Sequence, residues 1–123
     1  MFVTAYQTSL LGAGDPAVDP TVPFERLRLD DVSWVDVARG WLHGADTLLD
    51  ALIESVDWEQ HRRWMYERMV DDPRLSRWIS AEEQLPHPAL APVRSALEAH
   101  YDVPLGGIGL NYYRDGRDSV APH

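Results

Sequence analysis

Cysteine and lysine are both absent from the 123 residues. Without cysteine there are no disulfides, no thiolate zinc sites and no cysteine nucleophile. Without lysine, all eleven basic side chains are arginine, a bias that reflects genomic base composition as readily as a need for forked donors. No apolar run approaches the roughly 18 residues of a membrane-spanning helix. Internal repeats and low-complexity tracts are missing too. The start, Met1-Phe2-Val3-Thr4-Ala5-Tyr6, lacks the basic stretch and apolar run of a secretory signal, so a cytoplasmic location and no membrane partner are expected. Basic charge is scarce: twenty acidic side chains against eleven basic give a net charge of −9. A nucleic-acid binder driven by charge alone is normally basic, so any such contact has to come from a local patch or be weak. What is present is ordinary for a globular chain: 45% hydrophobic and 25% charged residues, with five Trp and five Tyr. That composition supports a single domain over residues 1–123 and excludes disorder of the whole.

Residues 1–23 carry Gly12, Gly14, Pro16, Pro20 and Pro23 and read as an irregular arm, packed on the body through Phe2, Val3, Tyr6, Leu10 and Leu11. Leu27-Arg28-Leu29 and Val32-Ser33-Trp34-Val35 alternate as strands do, and Arg39-Gly40 reads as a turn. From Ala45 to Val56 the period changes to that of a helix, with Leu48, Leu49, Leu52, Ile53 and Val56 on one face and Asp46 in the first turn. Residues 58–69 are expected as a strand with long side chains, broken at Asp71-Asp72-Pro73. A second helix is expected from Pro88 to Tyr101, with its stripe at Leu90, Val93, Leu97 and Tyr101. Ile108 to Arg114 reads as a strand, Asp115-Gly116 as a turn, and Arg117 to His123 as the start of another strand. Trp34, Trp41 and Trp58 are assigned to the core, and Trp64, Tyr66 and Trp78 are weighed as core against base-stacking. His43, His61, His87 and His100 show no ligand spacing, and Glu82-Glu83 reads as a solvated loop.

The stretch with most chemistry is Leu110 to His123. Asn111 and Tyr113 are two apart on a strand, so they share a face on which an amide and a phenol could hold an anion or a carbonyl group. A two-residue turn at Asp115-Gly116 would set His123 opposite Ile108, on the far face. A three-residue loop, Arg114-Asp115-Gly116, would set it opposite Gly107, on the face of Asn111 and Tyr113, with the glycine leaving room for a metal.

This stretch resembles the AlkB-like family of Fe(II)/2-oxoglutarate-dependent dioxygenases, the oxidative nucleic-acid dealkylases. The family's Asn-x-Tyr strand, Gly turn and following His match Asn111, Tyr113, Gly116 and His123. Asp72-Pro73-Arg74-Leu75-Ser76-Arg77-Trp78 is similar to its Pro-Arg-Leu-x-x-Trp element. Trp64-Met65-Tyr66-Glu67-Arg68 and Tyr6-Gln7-Thr8-Ser9-Leu10 are similar to segments of bacterial members. The matches run in order along nearly the whole chain.

The resemblance implies an α+β fold: part of a double-stranded β-helix (jelly roll), with N-terminal helices and a nucleotide-recognition lid. Residues 24–106 would carry the helices, strands and lid, and 107–123 the first strands of the catalytic core. It implies 2-oxoglutarate contacts at Asn111 and Tyr113, and iron at His123. Arg74, Trp78 and Tyr66 are the implied substrate contacts, with Arg74 weighed equally as an ion pair to Asp71 or Asp72. Family members often carry a Tyr soon after the Trp; here Ile79 stands there. The implied reaction is oxidative demethylation of alkylated DNA bases, single-stranded or duplex, with release of formaldehyde, by a protein that is a monomer when complete. The chain reaches His123 before the family's next carboxylate and distal His ligands, so a fragment, inactive and poorly soluble by itself, is expected. The alternatives carried with this reading are a non-catalytic nucleic-acid or protein binding module, and a dioxygenase of the same fold acting on RNA or protein.

Overall fold

The computed structural model describes residues 14–120. Two short strands, β1 (Ala17–Val18) and β4 (Leu42–His43), pair antiparallel. Between them β2 (Glu25–Arg28) and β3 (Trp34–Val37), which overlap the two expected strand segments, form a hairpin with Leu27 opposite Val35. Its loop is closed by Asp30, whose Oδ1 accepts from the Val32 and Ser33 amides at 2.9 and 2.8 Å. A short side-chain oxygen thus substitutes for a backbone acceptor in the turn.

Helix α1 (Ala45–Ser55) starts after Gly44, which is left-handed at φ 67°. A Cβ there would lie 2.6 Å from the Gly14 carbonyl oxygen, so only glycine fits. The expected stripe faces inward: Leu48 is 0% exposed, Leu52 and Val56 are buried, and the Trp58 indole N–H donates to the Ile53 carbonyl.

Residues 58–69 are not one strand. They hold β5 (Arg62–Met65), a two-residue turn, and the start of β6 (Arg68–Asp71), paired with Trp64 opposite Met69. The turn is Tyr66-Glu67, both left-handed, at φ 52° and 61°. Neither residue is a Gly, Asn or Asp, so the usual hairpin signal is missing.

Strand β7 (Leu75–Ile79) follows, then α2 (Leu90–Tyr101) and β8 (Ile108–Tyr112). Pro92 sits in the first turn of α2, where its missing N–H has no helical partner. The helix ends at Asp102, left-handed at φ 51°, whose amide donates to the Glu98 carbonyl.

β7 and β8 pair antiparallel, Leu75 with Tyr112 through to Ile79 with Ile108. One face of this pair carries Ile79 and Leu110 into the core, against Leu48 and Leu52 of α1, Val56 that caps it, and Leu90 of α2. Leu42, Trp58, Leu85, Ala89 and Ile108 pack around them. The described residues are therefore mixed α+β: two helices and four two-stranded antiparallel sheets.

Three expectations are corrected. Residues 117–120 are not a strand: the Asp118 amide donates to the Asp115 carbonyl at 3.1 Å, and the Ser119 amide turns back to the Pro73 carbonyl at 2.8 Å. Neither hairpin register proposed for Asp115-Gly116 is formed over 117–120, because the chain there turns to the Pro73 carbonyl instead of running along β8; residues 121–123 lie outside the described residues. Second, Trp34, Trp64, Tyr66 and Trp78 are exposed rather than core, Tyr66 at 83% and Trp64 at 69%. The two-stranded ribbons that carry them have no layer behind their outer faces. Third, Glu83 is not merely solvated, since it is bound by Arg77.

Candidate functional site

The register of β7 and β8 sets Ser76 opposite Asn111 and Trp78 opposite Gly109. Side chains alternate along a strand, so these positions share the face opposite to Ile79 and Leu110. Trp78 is 61% exposed. Its indole lies across the backbone of two glycines: a Cβ on Gly107 would stand 2.5 Å from Trp78 Cζ2, and one on Gly109 would stand 3.5 Å from Cε3. The space that Gly107 leaves is thus filled by the Trp78 ring, not kept open for a metal. Asn111 is exposed beside it. Neither the Asn111 amide nor the Trp78 indole N–H has a hydrogen-bond partner among the described residues. The face offers a ring to stack on and an amide that can donate and accept.

Tyr113 stands one residue past the end of β8 and is 9% exposed, whereas Asn111 is open. The two expected keto-acid contacts are therefore not equally open. Tyr66 is at the tip of the β5–β6 hairpin, on a different sheet from Trp78. Arg74 forms the weighed ion pair with Asp72, at 3.9 Å, and donates from Nη1 to the Ser119 carbonyl at 3.3 Å.

The other arginines near this face are held by the chain itself. Arg77 donates to the Trp78 carbonyl at 2.7 Å and to Glu83 Oε1 at 2.8 Å. The Ser80 amide on the other Glu83 oxygen, with Arg77, holds that carboxyl below its ordinary range. Arg114 reaches Asp118 with Nε and Nη2 at 2.8 and 3.0 Å, and this contact lowers the Asp118 pKa. Arg117 reaches Asp115 at 2.8 Å and, with its own amide, holds that carboxyl at about 2. Arg62 lies 3.0 Å from Asp71. Arg63 Nε lies 3.0 Å from Asp72 Oδ1, but without hydrogen-bond alignment, so that buried oxygen is charge-paired only.

A second network escaped the sequence reading. The Tyr101 hydroxyl donates to Asp36 Oδ2 at 2.6 Å, and Arg26 Nε donates to Oδ1 at 2.9 Å. Arg26 also sits 3.6 Å over the Trp34 ring. Arg26 first and Tyr101 second hold the Asp36 carboxyl at about 2. Tyr101 and Asp36 are 65 positions apart, and no local pattern links them.

His123, the implied iron ligand, lies outside the described residues. Among those residues no group of three His, Cys, Asp or Glu could hold a metal ion. His43 is 3.3 Å from Asp19, His61 is 3.6 Å from Glu59, and His87 Nδ1 accepts from the Ala89 amide. The donors on the Trp78 face, Asn111 and Ser76, are neutral: they suit hydrogen bonds to a carboxylate but do not form a ligand set for iron. Among the described residues no helix is long and apolar enough to cross a membrane. No protein-family model matches the chain, and no curated protein matches it either.

Proposed function

We propose that the chain is the N-terminal part of an AlkB-like Fe(II)/2-oxoglutarate-dependent dioxygenase that demethylates alkylated DNA bases. On this reading β7 and β8 are strands of a jelly roll, and the outer face of the pair lines its reaction chamber. The observation that carries the reading is the juxtaposition of Trp78 and Asn111. They come from the two motifs most similar to the family's, 33 positions apart in sequence, and they stand on one open face through the β7–β8 register.

Each residue has a task that its chemistry suits. The exposed indole of Trp78 stacks on a base that has been turned out of its strand. The Asn111 amide hydrogen-bonds a carboxylate of 2-oxoglutarate, and Tyr113 supports it from its buried position. Tyr66, at the hairpin tip, and Arg74 are outlying substrate contacts. Iron, which His123 would help to hold, would supply the oxidation of the N-methyl carbon, with O2 as the oxidant and 2-oxoglutarate as the co-reductant, oxidised to succinate and CO2. The hydroxymethyl group so formed would be lost as formaldehyde by cleavage of its N–C bond, leaving the unmethylated base.

The test is formaldehyde release from N-methylated single-stranded DNA by the full-length protein with Fe(II), O2 and 2-oxoglutarate. Trp78→Ala should lower kcat/KM by about tenfold, the scale of one base–aromatic stack. Turnover of 2-oxoglutarate with methylated DNA left intact would defeat the DNA reading and favour an RNA or protein substrate. No consumption of 2-oxoglutarate at all would defeat the enzyme reading and favour a binding module.

A further inference from the structure

We infer that Arg77 and Glu83 are positioning residues for Trp78: their ion pair fixes the backbone from which the indole is presented. This rests on the proposal that the face takes a nucleobase, and it names what sets the geometry of that stack.

β7 has β8 along one edge. On its other edge Ser76 exchanges both backbone hydrogen bonds with Glu59, at 2.8 and 2.9 Å. Backbone groups two residues apart on an antiparallel strand point to the same edge. The Trp78 carbonyl therefore points there too. The pairing with Glu59 is a single bridge, however, and among the described residues no strand continues beside Trp78. Arg77 supplies the missing donor, from Nη1 to the Trp78 carbonyl at 2.7 Å. An arginine on the core-side register, opposite Leu110, thus turns its fork out to the neighbouring peptide.

Glu83 holds that fork in place. Its Oε1 accepts from Arg77 Nη2 at 2.8 Å and its Oε2 from the Ser80 amide at 2.7 Å, while its own amide donates to the Ser80 carbonyl at 3.2 Å. Ser80 directly follows β7, so the carboxylate is tied to the end of the strand it steadies. The indole depends on this support. It is 61% exposed, and Gly107 and Gly109 give it a floor but no side-chain walls. A binding face of this kind fails when its supporting groups leave it loose by about 1 Å.

The experiment measures binding of a short single-stranded oligonucleotide carrying one N-methylated base to the full-length protein. The variants are Arg77→Leu, Glu83→Gln and Trp78→Ala, with each of the first two also made in the Trp78→Ala background. Arg77→Leu removes a positive charge and keeps apolar bulk opposite Leu110. Glu83→Gln removes a negative charge and leaves one acceptor oxygen for two donors. Charge alone would make Glu83→Gln bind the polyanion more tightly and Arg77→Leu less tightly. The expected result is that both weaken binding by about threefold to fivefold, and that neither shifts affinity by more than about 1.5-fold in the Trp78→Ala background. Opposite signs for the two variants, equal losses with and without the ring, or wild-type affinity in both overturn the inference; base binding stands in each case if Trp78→Ala alone weakens binding. If Arg77→Leu does not fold by circular dichroism, the Glu83→Gln pair decides: tighter or unchanged binding overturns the inference, and a loss confined to the protein with the ring supports it. If the wild type does not bind, or Trp78→Ala binds as the wild type does, base binding at this face is itself overturned and the inference falls with it.

Discussion

Trp78 keeps its place because Gly107 and Gly109 have no side chains under it. The two glycines differ in how much room they leave. A methyl at Gly107 would meet the Ile79 carbonyl oxygen and Trp78 Cζ2, each at 2.5 Å, and the first of these is backbone that cannot step aside. At Gly109 the nearest atom is 3.5 Å away, an ordinary contact. Gly107→Ala should therefore cost about 1–3 kcal/mol and lift the indole off its floor, while Gly109→Ala should stay within about 0.5 kcal/mol. Urea midpoints of the two variants check this, and equal midpoints would refute it. The Asp36 carboxyl gives a second prediction at this scale. Its folded pKa, about 2, lies below the ordinary value of 3.8, because Arg26 and Tyr101 bind the charged form. Its contribution to stability is present above about pH 4 and is lost as pH falls toward 2. The gap in denaturation midpoint between wild type and Asp36→Asn should narrow over that window; a gap constant with pH would contradict the pairing. Burial of Leu48 and Leu52 was legible from helical spacing alone. The Arg26–Asp36–Tyr101 contact was not, since no short-range pattern joins a strand residue to one 65 positions later.

Among the elements, those with a clean period were legible: α1, α2 and β8 fall where apolar spacing puts them, while β2 and β3 share only Leu27-Arg28 and Trp34-Val35 with the expected segments. β7 was not, because Arg77 occupies a core-side register position opposite Leu110 and interrupts the apolar alternation. The structure accommodates it by carrying the guanidinium out to Glu83 and the Trp78 carbonyl. The β5–β6 turn was illegible for another reason. Tyr66 and Glu67 both adopt left-handed backbone at a cost of roughly 1 kcal/mol each, offset by the pairing of the strands on either side. Replacing them with the residues this turn prefers, Tyr66→Asn and Glu67→Gly, should slow amide exchange in the hairpin by about fivefold per substitution. Unchanged exchange would show that the turn is not where the hairpin loses stability. The same double variant removes the Tyr66 ring, so any drop in substrate affinity separates its proposed outlying contact from its structural cost.

For the molecule as a whole, stability is unevenly spread. The core cluster draws its six buried residues from α1 with the residue that caps it, β7, α2 and β8. The β2–β3 and β5–β6 hairpins carry Leu29, Val32, Trp64 and Tyr66 exposed. Two-stranded ribbons are marginal by themselves. Native-state hydrogen exchange should therefore find α1 and the β7–β8 pair opening only with global unfolding, and the two hairpins opening at much lower free energy. A single uniform opening energy would show that the hairpins are coupled to the core more tightly than their packing indicates. The candidate face stands on the slow-exchanging side of this division, as a site that must hold its geometry should.

Composition and periodicity alone determined what this chain lacks and where its helices lie, because helix formation and burial of a stripe depend on residues three and four apart. The motifs around Trp78 and Asn111 were visible only as a resemblance to the local sequence of a known family. Only the tertiary structure decided that these two residues share one face, that Gly107 seats an indole, and that Arg77 and Arg114 beside them are bound by carboxylates. Strand partnership and ion pairing join positions far apart in the chain, and each strand could have taken another neighbour; the choice is made by which pairing buries Ile79 and Leu110 against α1.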